Sequence, residues 1–407
     1  MRSKRSNCMS DLKNHNEYKD VNSVNIEVVD TNKNNVFAFW ESDEEIPAYL
    51  ELCKKTWHKN IPNCEIHIIN YNNINQYIEG IYNLESLKKI PLAMQSDIIS
   101  AAILEKFGGL FLDIDSVVTD DLFKIFNTIS TEKLIAFGNE RKAIHIAVLY
   151  SKKPNNRILR EWRKGAQEKL RIDIPIKMNW DYFGNSIVEP FFNNPEYYKD
   201  CYIIERAISG NILEADTMKE YESTNLMKYR FFYFNKIFNL KPEVMDFIKS
   251  GVVSLHNSWT PVEIKKIKNI EVFLDTKMPI VDLLEYTLND KVKPVSFENL
   301  VLLESYIVVG LQNNSLDYQK RYYNGMLVLD FKVNNINFAF DICDKNDGLE
   351  CYLIIRNKEN IEKYIKIDSL LFEGNKAKLN HISSKKELLK FIVEAYEYYK
   401  KLPSENS

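Results

Sequence analysis

The chain has 407 residues, 45% of them hydrophobic and 27% charged, with a formal net charge of -3. That is an ordinary globular balance at a length that suggests two domains, and it carries no basic signal for a nucleic-acid partner. Six scattered cysteines (Cys8, Cys53, Cys64, Cys201, Cys343, Cys351) form no C-x-x-C pair, which argues against a zinc knuckle or a disulfide scaffold and for free thiols.

The basic start, Met1-Arg-Ser-Lys-Arg-Ser-Asn7, runs into polar residues rather than an apolar h-region. No run approaches the roughly 18 apolar residues of a spanning helix, so a cytoplasmic protein without a transmembrane segment is expected. Residues 1–34, rich in Asn, Lys, Asp and Ser, read as a mobile lead-in, with order expected from Val36. Val36 to Trp40 reads as a buried strand and residues 41–45 as the loop at its tip. Leu50, Cys53, Thr56 and Trp57 recur at helical spacing before Pro62, and Glu65 to Ile69 is a second strand. This β-α-β opening predicts a right-handed nucleotide-binding half.

From Ala93 to Phe107 the chain is apolar on more than one face, as in a buried helix, and Gly108 and Gly109 close it. Leu110, Phe111 and Leu112 then form a short central strand, and Asp113 and Asp115 follow at its carboxyl tip. Open α/β sheets bind ligands at that edge. If the strand persists, residues i and i+2 share a side, and the two carboxylates can converge on one hard cation such as Mg²⁺ or Mn²⁺. An Asp-rich turn is the plainer explanation, since Asp120 and Asp121 follow.

The longer string shifts the balance toward the metal site. Gln95-Ser-Asp97, an Ile- and Ala-rich helix, then Lys106-Phe-Gly-Gly-Leu-Phe-Leu-Asp-Ile-Asp115 resembles the sugar-nucleotide region of DxD-containing GT-A glycosyltransferases. The likeness is to the Och1 and capsular-polysaccharide group and its relatives among the clostridial glucosylating toxins. Where those enzymes commonly carry Arg after S-D-x-x, this chain has Ser100. The resemblance spans roughly residues 36–262. It implies an α/β fold, a GT-A Rossmann-like mixed sheet with helices on both faces, over 35–290. It also implies a metal-dependent retaining hexosyl transfer that uses Mn²⁺ or Mg²⁺. The donor would be a nucleotide sugar, UDP-linked first and GDP-linked second, and the acceptor a glycan, a lipid-linked sugar or a protein, as in polysaccharide biosynthesis. Donor contacts are implied for Trp40, Asp97, Gly109, Asp113 and Trp259, with Trp40 stacking on the base; a Trp at a strand end serves a core equally well.

Downstream, Lys133 to Phe137 and Ile144 to Leu149 read as strands, and Asn156 to Leu170 as a helix whose Arg and Lys residues form a solvated face. Asn179-Trp-Asp-Tyr-Phe-Gly-Asn-Ser186 resembles the segment beside the donor sugar, with Asn185 where the family has Pro. Asp181, Asn185 or Glu140 is therefore implied to face the reacting carbon. Gly251 to Trp259 is a strand ending on His256, Asn257 and Ser258, any of which offers the family's C-terminal metal ligand, with Trp259 as the lid.

All five tryptophans precede residue 260, and a boundary is expected near 285–296. An α+β accessory domain over 291–407 follows: a helix from Phe297 to Gln312, strands at Met326 to Val333, Ile336 to Cys343 and Leu349 to Arg356, and a helix opening on the capping box Ser384-Lys-Lys-Glu387. Nothing in it indicates its role or an oligomeric state. Two other functions fit the motif. One is a haloacid-dehalogenase-like phosphotransferase using Asp113 and Asp115; the other is an inactive nucleotide-sugar-binding module.

Overall fold

Alternation along the first strand sets the layering. In the computed structural model, β1 (Asn34–Phe39) sends Val36 and Ala38 into one apolar cluster and Phe37 and Phe39 into another. A strand buried on both faces has to be apolar throughout, which is what Val36 to Trp40 is. The structure describes residues 28–42, 44–139, 143–172, 178–205, 224–235, 251–289, 318–323, 326–333, 336–345, 348–356 and 362–366.

In chain order β1 is followed by α1 (Ala48–Asn60), β2 (Cys64–Ile69), α2 (Ile74–Ile78), α3 (Leu84–Leu87), α4 (Leu92–Phe107), β3 (Gly109–Leu112), β4 (Ser116–Val118) and α5 (Leu122–Ile129). Then come β5 (Leu134–Asn139), β6 (Ala143–Ser151), α6 (Arg157–Arg171), α7 (Asn185–Phe192), β7 (Cys201–Glu205), α8 (Asn225–Phe234) and β8 (Val252–Ser254). Three further helices close this part: α9 (Val262–Lys265), α10 (Ile270–Leu274) and α11 (Pro279–Leu288).

The main sheet runs β2-β1-β3-β6-β5-β7. It is mixed: β2, β1 and β3 are parallel, while β6 runs antiparallel to both β3 and β5. Helices α4 and α6 cover one face, and α1 with α10 and α11 lies on the other. This is a Rossmann-like α/β fold of the expected class.

The two glycines after α4 have separate causes. Gly108 (φ 68) caps the helix through its N–H to the Leu104 carbonyl at 3.0 Å. A Cβ on Gly109 (φ 97) would stand 2.8 Å from the Asn35 carbonyl, so only glycine lets β3 start against β1. The chain then leaves the sheet after Leu112, and β4 forms a separate two-stranded ladder with β8, pairing Ser116 with Ser254.

Two expectations need correcting. Ordered packing starts before Val36, because Val29 is already buried in the α4-side cluster. The basic side chains of α6 are not all solvated: Arg163 is buried and pairs with the equally buried Glu105 of α4, and its Nη1 donates to Gln167 at 2.8 Å.

Beyond α11, strands β9 (Tyr318–Tyr323), β10 (Met326–Val333), β11 (Ile336–Lys345), β12 (Gly348–Arg356) and β13 (Glu362–Lys366) form an antiparallel sheet in sequential order. The three expected strands are present, and Leu329 and Phe331 of β10 join the α1-side cluster. The helices expected at 297–312 and from Ser384 lie outside the described residues.

Candidate active site

Asp113 and Asp115 meet through a turn rather than along a strand. The strand stops at Leu112, and Ser116 donates its N–H to the Asp113 carbonyl at 2.9 Å, closing residues 113–116 into a turn. The sequence expectation of an extended i, i+2 pair therefore fails. Leaving the sheet frees Ser116 to start the ladder with β8, and Trp57 fixes that exit by donating its indole N–H to the Ser116 carbonyl at 2.7 Å.

The ladder explains why Gly251 to Trp259 returns to this place. Leu255 donates its N–H to the Asp115 carbonyl at 3.2 Å, and Asn257 donates its backbone N–H to Asp115 Oδ2 at 2.6 Å. Asn257 Oδ1 in turn accepts the Tyr49 hydroxyl of α1 at 2.5 Å. Of the three C-terminal candidates, Asn257 is thus tied directly to Asp115. Ser258 is exposed beside it on the same 3-10 turn. His256 lays its ring on Trp259, with centroids 4.3 Å apart, and Trp259 is also edge-on to Tyr229 at 5.8 Å.

The electrostatics are unusual. Asp115 is 6% exposed, and burial together with the charge of Asp113 pushes its pKa up to about 8. Burial also raises Asp113, against a hydrogen bond from the Ser96 hydroxyl at 3.2 Å. Asp97 is raised by burial and by the charge of Asp113. Among the described residues no Lys, Arg or His stands within ion-pair distance of Asp113 or Asp115. Lys265 of α9 is close enough to Asp115 and Arg230 to feel both charges, and Arg230 donates Nε–H to the Trp259 carbonyl at 2.8 Å.

A hard divalent cation fits this donor set. A buried and a half-buried carboxylate that repel one another and have no ion-pair partner among the described residues are what such an ion stabilises. Among the described residues no group of three or more His, Cys, Asp and Glu is gathered for a metal. Asp113 and Asp115 would hold it, with Asn257 and Ser258 adjacent and the remaining positions left to water or substrate oxygens.

The other candidates fall at different distances from this centre. Asp97 stands next to Asp113 in charge and rests on Gly184, where a Cβ would come 2.8 Å from its Oδ2. Trp40 is half-buried at the tip of β1 and packs against the α1-side cluster; its buried Nε1 meets no partner among the described residues. Gly109 lies at the opposite end of β3 from the carboxylates. Asn185 is engaged elsewhere: its side-chain amide accepts from the Ile144 N–H at 2.8 Å and donates to the Ile144 carbonyl at 3.0 Å, clamping α7 to β6. Asp181 is exposed in a turn, and its carbonyl accepts from the N–H of Gly184 and of Ser186. Glu140 lies outside the described residues.

Sequence reading missed Ser96, Tyr49, Arg230 and Lys265. Ser96 sits within the quoted Gln-Ser-Asp string and was recoverable from it, whereas Tyr49, Arg230 and Lys265 are brought in by tertiary contacts with no local signature.

Residues 2–168 match the family model of the capsular polysaccharide synthesis proteins. The match takes in the string from Gln95 to Asp115 and ends before β8. No curated protein matches the chain. Among solved structures, the PaToxG glycosyltransferase is similar at 16% identity over 39% of this chain and 68% of its own, with a TM-score of 0.29. An overlap of that size does not bear on activity. No helix among the described residues is long and apolar enough to cross a membrane.

Proposed function

We propose that this chain is a metal-dependent glycosyltransferase that takes a sugar from a nucleotide-sugar donor, UDP-linked by preference, and passes it to a glycan acceptor of the polysaccharide type. The observation that carries this is the pair of mutually repelling carboxylates at the carboxyl edge of the sheet, Asp115 buried and Asp113 half-buried, with no ion-pair partner among the described residues. The match to the capsular polysaccharide synthesis model over 2–168 supports the polysaccharide assignment.

A divalent cation held by Asp113 and Asp115 would neutralise the departing diphosphate and so remove the need to protonate it. The protein's own groups supply the rest. The Asn257 N–H holds Asp115 in place, and the Ser96 hydroxyl does the same for Asp113. Lys265 and Arg230 place positive charge beside the turn, where the leaving phosphates develop negative charge. Trp259, fixed through its carbonyl by Arg230 and packed against His256, would cover the site and limit access of water. Transfer with retention of configuration follows from the family resemblance alone.

The test is a panel of UDP- and GDP-sugars with Mn²⁺, followed by release of free nucleoside diphosphate in the absence of acceptor. Slow hydrolysis of one donor, abolished by chelation, is expected. Release of phosphate from a simple phosphomonoester, with every donor left intact, would instead identify a phosphotransferase. Donor binding without turnover, even with acceptors supplied, would identify a binding module.

A further inference from the structure

A cavity of mixed polar and apolar lining lies at the opposite end of β1 and β3 from the Asp113–Asp115 turn. It has a volume of about 360 Å³, and its lining includes Lys33, Lys106, Lys152, Asn34, Asn127 and Tyr150, with no Asp or Glu in its wall. Asn34 and Gly109 of that lining begin β1 and β3, which are parallel, whereas Asp113 follows the last residue of β3. The four residues of β3 separate the two places by roughly 10 Å or more at about 3.3 Å per residue.

We propose that this cavity binds a small phosphate ester carrying a sugar ring, at a site distinct from the Asp113–Asp115 turn. Three lysines and no carboxylate line the cavity, against the roughly half negative charge of the α4 carboxyl end and two carboxylates outside the wall, Glu132 near Lys152 and Asp121 near Tyr150. The lysines are only lightly engaged: Lys33 Nζ donates to Asn63 Oδ1 at 3.0 Å, and Lys106 Nζ to the Tyr77 carbonyl. Each ammonium therefore keeps further N–H groups for an anion. Among the described residues, the carboxylate whose charge reaches Lys106 is Glu79, and it is not in the cavity wall.

The remaining walls fit the ring. Phe107, Phe123 and Tyr150 give apolar faces. Tyr150 donates its hydroxyl to Asn127 Oδ1 at 2.7 Å, which leaves the Asn127 NH₂ as the group that can donate to a ligand oxygen. A volume of this size suits a molecule of nucleotide or sugar-phosphate dimensions.

The experiment is calorimetric titration of the full chain, in chelator and without divalent cation, with pyrophosphate, glucose 1-phosphate and UDP in turn. Saturable binding of at least one ring-bearing ligand, tighter than pyrophosphate and weakened by salt, is expected. The double variant Lys33→Gln/Lys152→Gln, which alters exposed side chains, should weaken it about tenfold or more. Asp113→Asn and Lys265→Gln should leave it within twofold of the parent. Which ligand binds tighter, the sugar phosphate or the nucleotide, identifies the source of the phosphate ester. The proposal is overturned if none binds at millimolar concentration, or if pyrophosphate binds as tightly as both ring-bearing ligands. It is equally overturned if binding survives the lysine double variant, or is lost in Lys265→Gln, which would place it at the candidate active site.

Discussion

Asp115 carries a burial cost that the proposed cation would offset. Its pKa is raised, so the folded chain holds a proton that the unfolded chain has released, and stability falls as pH rises from about 4 to about 8. Asp115→Asn removes that loss and keeps an acceptor for the Asn257 N–H. The variant is expected to melt no lower than the cation-free parent at alkaline pH while donor turnover drops about a hundredfold or more; a lower melting temperature would show that the carboxylate serves the fold. His67 works in the opposite sense. Burial holds its pKa below the ordinary 6.5 against a smaller pull from Glu65, and the ring is bonded to Asn35 Oδ1 at 2.9 Å. Below about pH 6.5 the unfolded chain takes up the proton first, so this contribution is lost as pH falls, and His67→Gln should flatten the melting profile on the acid side. A variant whose acid limb is unchanged would assign that slope to other groups.

At the scale of elements, α4 is held to α6 through the buried Glu105–Arg163 pair, and Glu105→Gln should cost about 3–5 kcal/mol by leaving the guanidinium uncompensated. Glu105→Leu combined with Arg163→Met should recover most of that loss in denaturant unfolding; no recovery would mean the pair is needed for packing as well as charge. The turn before α7 matters for a different reason. A Cβ on Gly184 would stand 2.6 Å from Ile146 Cδ1 and 2.8 Å from Asp97 Oδ2, so Gly184→Ala should displace the Asp97 carboxylate. Activity is expected to fall about a hundredfold for a stability cost of about 1–3 kcal/mol. An active Gly184→Ala enzyme would remove Asp97 from the site.

These elements also show what was legible in the sequence. The apolar runs of β1, α4 and β3 are local signals, and the two glycines with the D-x-D mark the end of that unit. The exit of the chain after Leu112 was not legible, because it depends on a ladder with β8 more than 130 residues away. Arg163 was misread for a similar reason: its partner lies on another helix, and a helical pattern alone cannot tell a buried cation from a solvated one.

For the whole molecule, the main sheet brings one end of β3 to a cation-hungry acidic turn and the other end to a lysine-lined cavity. The C-terminal segment lies against that turn through the Asn257 N–H and the β4–β8 ladder, so on the proposed function closure of the site would be coupled to that ladder. Binding of cation and nucleoside diphosphate should therefore stabilise the folded chain by mass action, by about 2.7 kcal/mol at a hundredfold excess over Kd. The most direct check of the central claim is calorimetric titration of UDP into the parent with Mn²⁺, the parent with chelator, and Asp113→Asn with Mn²⁺. A UDP-binding component that requires Mn²⁺ and is lost in Asp113→Asn, separate from any binding at the lysine-lined cavity that persists in chelator, is the predicted result. Isotherms that are the same under all three conditions, with no component added by Mn²⁺, would contradict the assignment of the Asp113–Asp115 turn as a cation-dependent nucleotide site.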